Sequence, residues 1–378
     1  MSILKSRILK TFLNLVRIKG ISLHEGEIVK FLKKELMKLG IKAYTDNAGK
    51  KIGGEVGNLI AEVKGNLPNA PKILINSHLD TVFMEKEVRP RLRGGYIYSD
   101  GTTVLGADNR AGIAVILEVL KVLKEIKVPH GDILIILTVA EEMGLLGSKN
   151  MDKRIKADFG FTMDGGNIFE LINQAPTQKS FKVEVIGKAA HAGIHPEEGI
   201  SAIKVASEAI ASMELGRIDS ETTANIGIIK GGVATNIIPE KVFLKGEVRS
   251  HSDKKLKKQL DHILNLLKKT SRKHRAKLKV KVITAYRSFF VEKNRPCLLI
   301  AERAARNVGV KTTVKRTGGG FDANNFNLMG IPTVILGTGA DRVHTKKERL
   351  KINGMVLSEK LLLEVIKESA KWNLKKRK

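Results

Sequence analysis

The sequence is short of the residues that announce several common architectures. It holds one cysteine, Cys297, in 378 residues, so no disulfide forms within the chain and the composition suits a reducing cytosol. Cys297 follows Arg-Pro with no histidine nearby, which reads as a buried or inert thiol. Aromatic residues make up 4% of the chain, and none interleave with its densest basic run, Lys254 to Lys281, as base-stacking platforms would. No run of about 18 or more uncharged apolar residues occurs, which argues against a transmembrane helix. There is no long low-complexity linker and no repeat. Acidic residues are scarce as well: 39 against 67 lysines and arginines, a net charge of +28. Such a field suits acidic ligands, RNA or anionic membranes. In the densest basic run, however, Leu256, Leu260, Ile263, Leu264 and Leu267 form one apolar stripe. The lysines there are expected on the solvated face of a helix, and neither nucleic acid nor a membrane is expected as a partner.

What is present reads as a large α/β protein. The N-terminal segment mixes basic and apolar residues as a targeting signal does, but Lys10, Asn14 and Arg17 interrupt it and no small-residue cleavage site follows. Leu4, Ile8, Phe12 and Leu15 recur at helical spacing, so it is expected to be a core helix. Ser22 with Glu25 forms a capping-box pattern before Ile28, Phe31, Leu32, Leu36 and Leu39, and Gly40 closes that helix. Apolar runs at 73–75, 133–139 and 159–163, with a helical segment at 111–126, suit strands buried on both faces of a helix-covered sheet. From about Gln178 the texture changes to alternating strands around two helices, in the order strand, helix, strand, strand, helix, strand. After about Ser288 it reverts: a helix at 297–308, a loop TGGGFDANNF, a strand at 333–336 and a terminal helix. The expected organisation is one domain made of residues 1–177 and 287–378, with a ferredoxin-like α+β domain, 178–286, inserted into it.

The residues suited to chemistry gather where strands end. His78 and Asp80 follow ILIN, Glu141 and Glu142 follow ILIILTVA, Asp164 follows FGFTM, and His344 follows VILGTGADRV. Ligands of open α/β sheets bind beyond the carboxyl ends of the strands. Asp108 instead precedes a helix, so its carboxylate faces the positive end of the helix dipole. Two imidazoles and three carboxylates are donors for zinc, cobalt or manganese. Two divalent ions about 3.5–4 Å apart, partly neutralised by three carboxylates, would activate a water for amide hydrolysis. Asp80, on the same side of an extended strand as His78, is placed to fix the imidazole tautomer. Glu141 and Glu142 are adjacent and their side chains diverge, so one can ligate while the other serves as general base. His24, His130, His251, His262 and His274 lie in polar or helical surface contexts and are expected to be structural or solvated.

The strings NSHLDTV, GADNRAGIA, TVAEEMGLLGS and TMDGG, with a late VHT, resemble the co-catalytic dizinc family that contains peptidase T, carboxypeptidase G, aminoacylase, acetylornithine deacetylase and succinyl-diaminopimelate desuccinylase. The resemblance covers essentially the whole chain. GKAAHAGIHPEEGISAI, GGVATNIIPE and GGGFDANNF are most similar to the peptidase T-like branch. It implies a zinc-exopeptidase-like catalytic domain with an inserted lid and dimerisation domain, and a cytosolic homodimer acting on short peptides. It also implies roles: His78 and Asp164 on one metal, Glu142 and His344 on the other, Asp108 between them, and Glu141 as general base. His191 resembles an oxyanion donor supplied to the partner subunit, and Asn236 and Arg249 resemble substrate-binding residues, Arg249 for a carboxylate. The family often has a cis peptide after the bridging aspartate. One departure bears on substrate: the stretch from Asp80 to Asp108 is shorter than in tripeptidases proper. An N-acyl amino acid deacylase is the alternative, because the same centre cleaves any positioned amide. A basic binding protein on a decayed hydrolase scaffold is the reading from another class.

Overall fold

A computed structural model describes residues 3–84, 86–152 and 154–372. The chain divides into two compact units, Met1–Ala175 with Phe289–Lys378, and Pro176–Ser288. The expected cuts fell at 177/178 and 286/287; the structure places them at 175/176 and 288/289.

The first unit is built on a mixed sheet. Its strands lie in the order Ala43–Thr45, Leu59–Val63, Ile133–Thr138, Ile73–His78, Phe159–Gly165, Thr333–Gly337, Glu170–Ala175 and Phe289–Phe290, with Thr313–Arg316 beside Glu170–Ala175. The central strands pair in parallel: Ile73–His78 with Ile133–Thr138 and with Phe159–Gly165, and Phe159–Gly165 with Thr333–Gly337. Parallel strands need cover on both faces, and the alternation of side chains shows where each goes. Ile73, Ile75, Ile133 and Ile135 join the core formed with helices Ile3–Leu15, Ala107–Ile126, Pro296–Asn307 and Ile352–Ala370. Leu74, Leu134 and Ile136 point the other way, against Met151, Phe326 and Ile331. Ile8, Phe12 and Leu15 are buried as their spacing predicts; the side chain of Leu4 lies outside the described residues. Among the described residues no helix is long and apolar enough to cross a membrane.

Three sequence expectations change. The helix Gly26–Lys38 forms, but its N-cap Glu25 makes no side-chain cap, so the capping box is absent. Ser22 and Glu25 are drawn instead into tertiary contacts described below. The stretch read as a loop, TGGGFDANNF, contains the start of a short helix, Asp322–Leu328, too brief to show a period. His130 is buried rather than on the surface, its Nδ1 2.7 Å from the Gly131 carbonyl oxygen. Cys297 is fully buried, and burial pushes its thiol up to about 12.

The second unit is an antiparallel sheet, Gly216–Arg217, Thr222–Gly231, Lys241–Ser250, Thr177–Ile186 and Lys277–Tyr286 in that order. One face packs Phe181, Val183, Val185, Val242, Leu244 and Val248 against the helices Ala202–Ala211 and Asp253–Lys273. The basic helix turns Leu256, Leu260, Ile263 and Leu267 inward as its stripe requires. The opposite face is open. There Lys245, Lys182 and Lys281 lie side by side in register across three strands, all exposed.

Candidate metal centre

Three parallel strands of the first unit deliver their carboxyl ends to one rim, and a turn beyond a short strand of another sheet joins them. His78 is the last residue of Ile73–His78; Glu141 and Glu142 follow Ile133–Thr138; Asp164 is the penultimate residue of Phe159–Gly165. His344 sits in a turn beyond Ala340–Asp341, at φ 61. Asp108 comes from the first turn of Ala107–Ile126, where it and Asn109 have non-helical dihedrals and the bond between them is cis. Gly112 lets that helix start lie against the strand end, because a Cβ there would stand 2.3 Å from the Met163 carbonyl oxygen.

The structure brings His78, Asp108, Asp164, Glu142 and His344 together in two interlocking triads. His78 Nε2 is 3.1 Å from Asp108 Oδ1 and 3.5 Å from Asp164 Oδ1. His344 Nε2 is 3.2 Å from Asp108 Oδ2 and 2.8 Å from Glu142 Oε1. Each triad offers ligand atoms within 4.8 Å of one another, and Asp108 belongs to both through different oxygens. A third grouping, His78 with Glu141 and Glu142, meets the same distance. Asn109 donates from Nδ2 to Asp164 Oδ1 at 2.8 Å and to the Met163 carbonyl at 2.7 Å, holding the inner carboxylate in place.

The electrostatics favour cations. Burial alone would lower the His78 imidazole, but the carboxylates of Asp164, Asp108 and Asp80 hold it well above the usual histidine range. Hydrogen bonds to Asp108 and Glu142 raise His344 to about 10. Burial opposes ionisation of Asp108 too, yet His344 and His78 keep it below the usual carboxylate range. Burial pushes Asp164 and Glu141 well up, with neighbouring carboxylates adding to the effect and His78 opposing it. With both imidazoles deprotonated, as metal ligation requires, the three carboxylates carry three negative charges, and two divalent cations fit that donor set in number, hardness and charge.

Asp80 does more than face His78. The Asp80 carbonyl oxygen, which can only accept, is 3.0 Å from His78 Nδ1, so that nitrogen carries the proton and Nε2 is free to ligate. The Asp80 carboxylate meanwhile accepts the backbone N–H of Glu141 at 3.0 Å and of Glu142 at 3.2 Å, and the Ser22 hydroxyl at 2.6 Å. Glu25 accepts the N–H of Ala140 at 2.8 Å and of Leu23 at 3.0 Å from one oxygen. Ala140 has φ 48, so the residue before Glu141 is held in a left-handed conformation by a buried carboxylate. Asp322 accepts from the hydroxyls of Thr138 and Ser148 beneath the same loop. Glu348 accepts from Gly106 N and Asp108 N. The sequence pointed to Ser22 and Glu25 only as a capping pair and gave no role to Asp322 and Glu348, because the partners that matter lie far away along the chain.

In the second unit His191 pairs as an isolated bridge with Ile237, and Ala192 N donates to the Asn236 carbonyl at 2.9 Å. His191 and Asn236 thus share one exposed loop cluster. Arg249 stands on Lys241–Ser250, its Nε 2.7 Å from Glu247 Oε1, in register with Gln178 and Thr223.

Comparison with known proteins gives a consistent picture. The sequence profile of the peptidase family M20/M25/M40 matches residues 74–368. The crystal structure of a tripeptidase from Staphylococcus aureus is 40% identical, covers 97% of this chain and 99% of its own, and superposes with a TM-score of 0.91. That of the aminopeptidase PepT from Bacillus cereus is 38% identical over the same shares, with a TM-score of 0.85. Peptidase T of Clostridium perfringens strain SM101 is 29% identical over 380 residues, 90% of this chain and 91% of that protein.

Proposed function

The chain belongs to peptidase family M20/M25/M40, and from that premise we propose that it is a metal-dependent exopeptidase of the peptidase T type, acting on short peptides. The observation that carries this reading is the pair of triads sharing Asp108, with a buried glutamate, Glu141, beside them. His78, Asp164 and Asp108 would hold one divalent cation, and His344, Glu142 and Asp108 the other; zinc suits the donor set, as do cobalt and manganese. Cations held there would supply Lewis-acid chemistry towards the scissile carbonyl and the attacking water.

The rest is done by the chain's own groups. Glu141 accepts the proton of the attacking water and returns it to the departing amine. The Asp80 carbonyl keeps the His78 ring in one tautomer while the Asp80 carboxylate grips the Glu141 backbone, so base and imidazole are set by one residue. Arg249 recognises a substrate carboxylate, Asn236 contributes to substrate binding, and His191 steadies the developing oxyanion. The enzyme works in the cytosol as a homodimer joined through the inserted unit, with His191 supplied to the partner's site. The names of the near relatives, a tripeptidase, an aminopeptidase and peptidase T, support peptides as substrates over N-acyl amino acids.

The test pairs cation analysis with turnover. Stripping with a chelator should abolish cleavage of a tripeptide panel, and zinc, cobalt or manganese should restore it. Glu141→Gln should retain both cations and lose several orders of magnitude in kcat. Near-normal turnover by that variant, or faster hydrolysis of N-acetyl and N-succinyl amino acids than of any peptide, would refute the reading.

A further inference from the structure

Glu348 is almost fully buried and uses both of its oxygens on backbone. Oε2 accepts the N–H of Gly106 at 2.8 Å and Oε1 that of Asp108 at 3.0 Å, across more than two hundred residues of sequence. Gly106 has φ 73 and Asp108 is non-helical, so this helix start does not hold its shape through regular helical bonding. Glu348 is itself fixed: its N–H reaches the Thr345 carbonyl at 3.0 Å, and the next residue, Arg349, begins a strand paired with Tyr96–Tyr98. The turn that ends at Glu348 also carries His344, which meets Asp108 at 3.2 Å. One carboxylate therefore ties together the two chain segments that converge on the triad of Asp108, Glu142 and His344.

We infer that Glu348 is a positioning residue that sets the reach of the Asp108 carboxylate to both triads by clamping its backbone. The inference rests on the reading of Asp108 as the shared cation ligand. A carboxylate is specified here rather than an amide. Both oxygens must accept, and in glutamine one of them becomes an NH2 that would face an N–H in either orientation.

Zinc binding to chelator-stripped protein, measured by calorimetric titration, provides the test. Wild type should take up two zinc ions. Glu348→Gln should weaken both together by about 10–100-fold, with the KM for peptide at saturating zinc unchanged. Thermal unfolding of the zinc-free proteins distinguishes a merely structural role, which would lower the metal-free Tm and leave the affinity of the folded protein intact. That result would overturn the inference, as would wild-type zinc affinity in a stable Glu348→Gln. If Glu348→Gln does not fold, Glu348→Asp keeps the charge but is too short to meet both N–H groups, and the same loss of affinity is expected from it. Failure of wild type to bind zinc would overturn the underlying metal reading and this inference with it, whereas normal wild-type binding with an unaffected variant overturns this one alone.

Discussion

Glu359, in the last helix, is 4% exposed and lies near Glu118, whose own carboxylate is held by Arg7. Burial, reinforced by Glu118, raises its carboxyl to about 7 from an ordinary 4.5. The native state therefore keeps the proton over a range where the unfolded chain releases it. Stability is undiminished below about pH 4.5 and falls as pH rises towards 7, by an amount on the order of 3 kcal/mol for this group. Glu359→Gln removes the titration, so urea unfolding should show the variant gaining on wild type at pH 8 and no such gain at pH 4.5. An equal difference at both pH values would refute this origin. At this scale the sequence was informative about groups that act at a strand end and silent about groups that hold them. His78, Glu142 and Asp164 could be picked out because each follows an apolar run. Glu25 and Ser22 matched a local capping pattern, but the buried N–H of Ala140 and the carboxylate of Asp80 outcompete the helix end for them. Nothing local encodes a partner more than a hundred residues away.

Elements were legible wherever burial imposes a continuous apolar run or a clean period. The strands Ile73–His78 and Ile133–Thr138 are buried along their whole length, and Asp253–Lys273 shows its inward stripe plainly. The strand Thr222–Gly231 is different. Gly216–Arg217 covers its outer edge only at Thr223 and Ala224, and among the described residues nothing pairs with that edge from Ile226 to Gly231. Ile228 and Ile229 are exposed there, Ile229 by 52%. An apolar unpaired edge is a template for another strand, and a second copy of the chain is the partner that the proposed dimer provides. Gly227→Pro puts a residue with no N–H at the irregular point of this strand and Ile229→Lys adds charge. Light scattering after gel filtration should report monomers for the double variant where wild type is dimeric; a dimer of unchanged stability would place the interface elsewhere.

For the whole molecule, the α/β class, the insertion and the family were all readable, because they rest on patterns repeated over many residues. The +28 charge was readable too, but not its cost. The row Lys245, Lys182 and Lys281 sets like charges directly opposite one another, which destabilises a sheet. Self-repulsion of this kind weakens the compact state and is screened by salt. Tm should therefore rise by several degrees between about 10 mM and 0.5 M sodium chloride, where the Debye length shrinks from about 30 Å to a few ångströms. A Tm that falls with salt would mean that favourable ion pairs outweigh the repulsion.

The chain leaves the first unit after Ala175 and returns at Phe289, and these two residues are cross-strand partners. Just beyond them Gln178 faces Tyr286, and Ser288 N bonds to Thr177 Oγ1 at 2.9 Å. To the host sheet the insertion is topologically a hairpin turn, one whose loop has grown into a domain. Because that domain holds its own two ends side by side once folded, it confers almost none of the closure entropy that a flexible loop of the same length would impose. The host can tolerate changes in its size and sequence without losing the register of its own strands.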